Sequence, residues 1–140
     1  MKQFVVFVFL VSFCQVLCSQ NLYFGYPNEN DPLQSGDKII TNIPVFIDHR
    51  FLQGRGIEAL ANFLGKDSTM HYCIEIHYSM GHEDWALAYS EYIGKFLGWY
   101  ISFYYNLHNF TMTGCGKNHP IFSDEYSEKR FNTRLEIIVE

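Results

Sequence analysis

The groups in this sequence with the chemistry of a site are its six histidines, Cys73 and Cys115, and the acidic pair Glu83-Asp84. His77 and His82 stand five residues apart, and Glu83 and Asp84 follow the second directly. Imidazoles and carboxylates in one loop are ligands for a divalent cation. No HExxH helix and no paired CxxC is present, so the spacing carries no metal signature. Histidines scattered over strands and surface are the simpler reading, and neither a metal nor another cofactor is expected. Cys115 precedes His119 by four residues, which pairs a thiol nucleophile with a base. No third orienting group and no oxyanion donor accompanies them, so no enzymatic activity is expected.

The elements that must position these groups centre on residues 73–101. Residues 73–77 alternate and predict a strand, with Ile74 and Ile76 on one face and Cys73, Glu75 and His77 on the other. A polar loop follows over 78–84. A helix is predicted from about residue 85 to about residue 105, with Trp85, Tyr89, Tyr92, Ile93, Phe96 and Tyr100 in a broad apolar stripe. Gly94 and Gly98 share a face, which lets a strand or helix come close. A loop between the carboxyl end of a strand and the amino end of a helix meets unpaired N–H groups and the positive end of the helix dipole.

Around this stretch, Ile57, Leu60, Ala61 and Leu64 predict a helix over 57–64, stopped by Gly65. Residues 43–47 predict a strand that Pro44 confines to a strand start or an edge. Lys38-Ile39-Ile40 predicts a short strand. Residues 110–113 predict another, ended by Gly114-Cys115-Gly116. Residues 123–131 are charged, with one or two helical turns, and 134–140 form a last strand, antiparallel to a neighbour. The order is βαβαββ, and the fold class is α+β, a small mixed sheet with two helices on one face.

The chain has 140 residues, 48% of them hydrophobic, enough for one domain with a real core. Residues 1–19 read as a secretory signal, with Lys2 ahead of an apolar run too short to span a bilayer. Lipidation at Cys14 or Cys18 fits less well, because Phe13 and Leu17 stand where a small residue is wanted. Residues 20–42 read as an N-terminal extension or linker, rich in turn signals such as Tyr26-Pro27 and Ser35-Gly36. The net charge is −5 and there is no basic run, which argues against nucleic acid as a partner. No stretch after Ser19 suits a membrane span. Cys73 and Cys115 form the pair available to an exported disulfide. Cys73 starts one strand and Cys115 follows another, which sets them at opposite ends of the sheet, beyond bridging distance.

Four segments carry a family resemblance. They are Ile74-Glu75-Ile76-His77-Tyr78-Ser79, then Tyr89-Ser90, then Gly114-Cys115-Gly116 with Pro120, and last Asn132-Thr133-Arg134-Leu135-Glu136-Ile137. In order and spacing they resemble motifs of the OmpA C-terminal-like, peptidoglycan-associated domain family. Those motifs are an Ile-Glu-Gly-His-Thr-Asp strand and loop, a Leu-Ser in the second helix, a Gly-x-Gly-x-x-x-Pro turn, and an Asn-Arg-Arg-Val-Glu-Ile strand. The resemblance covers residues 43–140. It implies an exported domain of the periplasm or outer membrane that binds the diaminopimelate-containing peptide of peptidoglycan without catalysis. In the family, a loop aspartate holds the ligand's ammonium and a helix arginine its carboxylate.

The sequence departs from the pattern at those positions. His77 keeps the family histidine, but Ser79 takes the aspartate slot, Ile93 the arginine slot and Ala86 an upstream asparagine slot. A second alignment, through Gly81-His82-Glu83-Asp84, restores an aspartate at Asp84. It shifts the strand by an odd number of residues and turns its apolar set outward unless a bulge intervenes. Arg134 matches the last motif, Thr133 replaces an arginine, and Lys129 stands in for one upstream. The ligand-binding candidates are therefore His77, Ser79, Asp84, Lys129 and Arg134. Weakened or lost diaminopimelate binding is expected, with a peptidoglycan peptide or another envelope protein as partner. The surface for a protein partner is the aromatic end of the second helix, at Trp99, Tyr100, Phe103 and Tyr104.

Overall fold

In the computed structural model, which describes residues 20–43, 54–123 and 130–140, the alternation around Ile74 and Ile76 becomes the inner strand of a five-stranded mixed sheet. In chain order the elements are β1 (Leu22–Phe24), β2 (Lys38–Thr41), α1 (Gly54–Leu64), β3 (Tyr72–His77), α2 (Glu83–Tyr105), β4 (Phe110–Gly116), a 3-10 turn (Arg130–Asn132) and β5 (Arg134–Val139). The strand order is β1-β2-β5-β3-β4. β5 runs antiparallel to both β2 and β3, as expected of the last strand, while β1–β2 and β3–β4 are parallel pairs.

Register stacks the apolar residues on one face. Ile39, Ile137 and Ile74 lie side by side across β2, β5 and β3, as do Leu135 and Ile76. These side chains join Ile57, Leu60 and Leu64 of α1 and Ile93, Leu97 and Ile101 of α2 in one buried cluster. The fold is thus α+β, with both helices contributing to the same core. The opposite face of the sheet carries Lys38, Glu136, Arg134, Glu75 and His77.

Local chemistry ends each helix. Asn106 closes α2 in the left-handed conformation, which asparagine tolerates. Asn109 holds the end of α1, where its Nδ2 donates to the carbonyls of Leu64 at 3.0 Å and Met70 at 3.1 Å. Leu64 is in the last turn, whose carbonyls have no partner within the helix.

Two expectations change, and a third falls largely outside the described residues. Residues 20–42, read as an extension or linker, supply β1, which was not expected, together with β2, the short strand expected at Lys38-Ile39-Ile40. The buried Asp37 carboxylate accepts hydrogen bonds from the backbone N–H and side chain of Asn21 and from the backbone N–H of Gln34. Strands of three and four residues are too short to show a period, and the turn residues between them dominate the composition. The strand expected over 43–47 lies, apart from Ile43, outside the described residues, and Ile43 itself is not in a strand. Gly114-Cys115-Gly116 does not end β4 but belongs to it. These glycines serve the approach of α2: a Cβ on Gly114 would fall 2.2 Å from the Glu91 nitrogen, and one on Gly116 would meet the Leu87 backbone at 3.0 Å. Both cysteines are free, and Cys73 pairs in register with Thr111, four residues short of Cys115.

Candidate functional site

The carboxyl ends of β3 and β4, the amino end of β5 and the loop before α2 converge at one edge of the molecule. Tyr78 extends β3 by one hydrogen bond, its N–H donating to the Gly116 carbonyl at 2.8 Å. Its ring packs edge-on against Trp85 and Tyr89, which are stacked on each other. The chain then reverses at Gly81, whose positive φ of 77° favours glycine. Trp85 covers that glycine so closely that a Cβ there would lie 2.7 Å from its ring. The loop is therefore pinned between aromatic side chains before α2 begins. Ser90 ties α2 to β4, accepting the Gly116 N–H at 2.9 Å and donating to the Leu87 carbonyl.

A pocket of about 130 Å³ opens here, lined by Ser79, Gly116, Lys117, Asn118, Pro120, Asn132 and Arg134. It is smaller than the roughly 300–1,000 Å³ of a pocket that encloses a whole small molecule, and suits one end group of a longer ligand. Asn132 shapes its rim. The Asn132 Oδ1 accepts from the N–H groups of Ile121 and Phe122 at 2.9 Å, and its Nδ2 donates to the Phe122 carbonyl. Ser79 and Thr133 share a hydroxyl–hydroxyl bond of 2.8 Å, and the Ser79 N–H donates to Thr133 Oγ1. Ser79, in the aspartate slot, thus meets Thr133, which replaces an arginine of the last-strand motif.

Behind the pocket lies a buried ionic network. Glu136 accepts from Arg134 Nε at 2.7 Å and also from Arg134 Nη2. Its other oxygen accepts from Lys38 Nζ at 2.6 Å. Arg134 also donates from Nη1 to the Asn132 carbonyl and from Nη2 to the His119 carbonyl. Burial pushes the Glu136 carboxyl up, but the bonds from Lys38 and Arg134 outweigh it and hold it below its ordinary value. His77 is 1% exposed, and its Nδ1 lies 2.9 Å from the Asn118 carbonyl. Burial and the neighbouring Arg134 guanidinium push its pKa below the ordinary histidine value.

His77, Ser79 and Arg134 come together at this edge, while Asp84 does not. Asp84 is exposed in the first turn of α2, where with Glu83 it complements the helix dipole. Ile74 and Ile76 point into the core, so the strand keeps the register of the first alignment and not of the shifted one. Ile93 is 2% exposed inside the apolar cluster, and Ala86 is buried as well. Lys129 lies outside the described residues. Sequence reasoning missed Lys117, which lines the pocket from within the glycine-rich segment. Its position three residues before Pro120 in that motif was the available signal. Among the described residues the pocket is lined by two cations and no carboxylate. No helix among them is long and apolar enough to cross a membrane.

No family model and no curated protein matches the sequence. Solved structures do match. The peptidoglycan-associated lipoprotein of Burkholderia pseudomallei is 15% identical, with a TM-score of 0.56 over 71% of this chain and 90% of that one. The OmpA-like domain of FopA1 from Francisella tularensis is 14% identical, with a TM-score of 0.51 over 89% of this chain and 94% of that one. A MotB-like protein from Desulfovibrio vulgaris is 17% identical, with a TM-score of 0.54 over 64% of this chain, which spans 60% of that protein's length. The fold is OmpA-like.

Proposed function

We propose that this OmpA-like fold serves as an exported, non-catalytic module of the cell envelope, at the periplasm or outer membrane, that meets the peptide of peptidoglycan only weakly. The observation that carries this reading is the charge of the pocket. Lys117 offers a cation to a ligand carboxylate, whereas the Arg134 charge is already matched by Glu136. The ligand's ammonium finds a serine in place of an aspartate, and a hydroxyl does not neutralise it. Ile93 faces the core and offers no second cation. One exposed ion pair contributes about 0–1 kcal/mol, far from the roughly 8 kcal/mol of a micromolar complex. Calorimetric titration of the purified chain with a diaminopimelate-containing muropeptide is expected to give a millimolar Kd or no heat, and Lys117→Ala to remove what heat there is. Tight binding would overturn the reading, and its loss on Asp84→Ala would move the site to the start of α2.

A second reading, a protein-contact module, rests on the far end of α2. Trp99 and Phe103 are 56% and 68% exposed and stack at 5.7 Å, with Tyr104 against both. Contiguous exposed aromatics of this kind mark interaction surfaces. Sedimentation as a strict monomer, with no crosslinked partner, would count against it.

A further inference from the structure

We propose that Glu75, His77 and Cys115 form a binding site for one divalent cation of the zinc class, with its remaining coordination position open to water. This site lies on the polar face of the sheet and does not rest on the muropeptide reading.

The three ligand atoms come together through topology. Glu75 and His77 are alternate residues of β3 and so project from one face. Cys115 is brought beside them by an irregularity in β4: Ile76 pairs with Gly114 and His77 with Gly116, leaving Cys115 as the extra residue. A bulge of this kind re-aims a side chain. The Cys115 sulfur, a Glu75 oxygen and a His77 ring nitrogen then lie within 4.8 Å of one another. His77 Nε2 is 3.4 Å from Glu75 Oε2.

The state of His77 points to a cation. The Asn118 carbonyl can only accept, so Nδ1 carries the proton of that bond. In the neutral ring, Nε2 is then a bare lone pair. It is buried, has no hydrogen-bond partner, and faces the oxygens of Glu75 and Glu136 at 3.4 and 3.6 Å. A lone pair buried this close to two carboxylates is unfavourable until a positive charge stands among them. Metal-bound histidines commonly donate the other ring N–H to a backbone carbonyl, which fixes the ring as it is fixed here. Nitrogen, thiolate and carboxylate together are a ligand set for zinc. Tetrahedral bonds of about 2.0–2.3 Å place neighbouring ligand atoms roughly 3.4–3.7 Å apart. The half-exposed Glu75 and Cys115 side chains close the difference by rotating inward, while His77 stays fixed. On binding, the Cys115 thiol releases its proton to solvent. No sequence motif announces the site, because its third ligand comes from a different strand 38 residues away from His77.

The test is cobalt(II) titration of the purified, reduced chain, read by absorption. The expected result is one equivalent bound, with a near-ultraviolet thiolate-to-cobalt charge-transfer band and the visible bands of a four-coordinate ion, all displaced by zinc. Cys115→Ser is expected to abolish the charge-transfer band and Cys73→Ser to leave it. Glu75→Gln is expected to weaken binding about tenfold or more. A second readout needs no variant: stoichiometric zinc protects Cys115 from alkylation while Cys73 still reacts. Absence of a charge-transfer band at millimolar cobalt, its persistence in Cys115→Ser, or equal alkylation of Cys115 with and without zinc would each overturn the proposal.

Discussion

The seam between α2 and β4 yields the sharpest prediction, because three glycines along it differ in the space they leave. An alanine Cβ at Gly114 would lie 2.2 Å from the Glu91 nitrogen and 2.6 Å from the Glu91 Cα and the Ser90 carbonyl carbon. Carbon contacts are comfortable at about 3.5–4.0 Å, so the helix must retreat by more than about 1 Å. The obstacle is helix backbone, which has no rotamer to change. The same retreat loosens Ile93, Leu97 and Ile101 in the core. Overpacking typically costs about 1–3 kcal/mol, and a whole-helix displacement belongs at or above the upper end. At Gly94 the nearest obstacle is the Ile76 Cδ1 at 3.0 Å, the mobile end of a side chain. At Gly98 nothing is closer than 3.9 Å. There alanine recovers the helix-interior penalty of glycine, about 0.5–1 kcal/mol. Urea unfolding followed by circular dichroism is expected to rank the variants Gly98→Ala above wild type, Gly94→Ala near it, and Gly114→Ala lowest by about 3 kcal/mol. With a slope of about 1.5 kcal/mol per molar urea, that last loss moves the midpoint down by roughly 2 M. A Gly114→Ala protein within about 0.5 kcal/mol of wild type, at unchanged slope, would refute the close-approach argument.

Three further outcomes follow from the packing. Asn109→Ala leaves the Leu64 and Met70 carbonyls without their donor, and a loss of about 1–3 kcal/mol is expected in the same assay. Glu136→Gln uncovers the buried Arg134 charge and is expected to cost about 3 kcal/mol, while the double replacement Arg134→Met with Glu136→Leu costs less, as a double-mutant cycle would show. Burial beside Phe63 pushes the Tyr26 phenol up to about 12 from an ordinary value of 10.0. A raised folded-state pKa leaves stability intact below about pH 10, and the contribution is lost as pH rises from there through about 12. The loss is on the order of 3 kcal/mol, and alkaline unfolding is expected to be shallower in Tyr26→Phe.

How much was legible depended on the length of each pattern. The alternation at Ile74 and Ile76, the 3.6-residue period of α1 and the long stripe of α2 are carried by enough residues to reveal their period, and each formed the expected element. β1 was hidden in turn-rich sequence, while Lys38-Ile39-Ile40 did mark β2; a strand of three residues gains its stability from its neighbours in the sheet and not from a pattern of its own. The substitutions Ser79 and Ile93 were readable as a loss of charge, and Ile93 is buried in the core. Lys117 had only its place before Pro120 to mark it, and the environment of Arg134 was not readable. Their meaning depends on a turn and a strand end folding onto the same edge.

By itself the sequence determined the α+β class, the polar and apolar faces of β3, and the absence of a charged pair at two motif positions. These are matters of residue type and local period. Only the tertiary structure decided which polar groups share a space. It sent Asp84 away from the pocket, matched Arg134 to Glu136, and set Cys115 beside Glu75 and His77. Those contacts join residues distant in the chain, and strand pairing, not composition, fixes the distances between them.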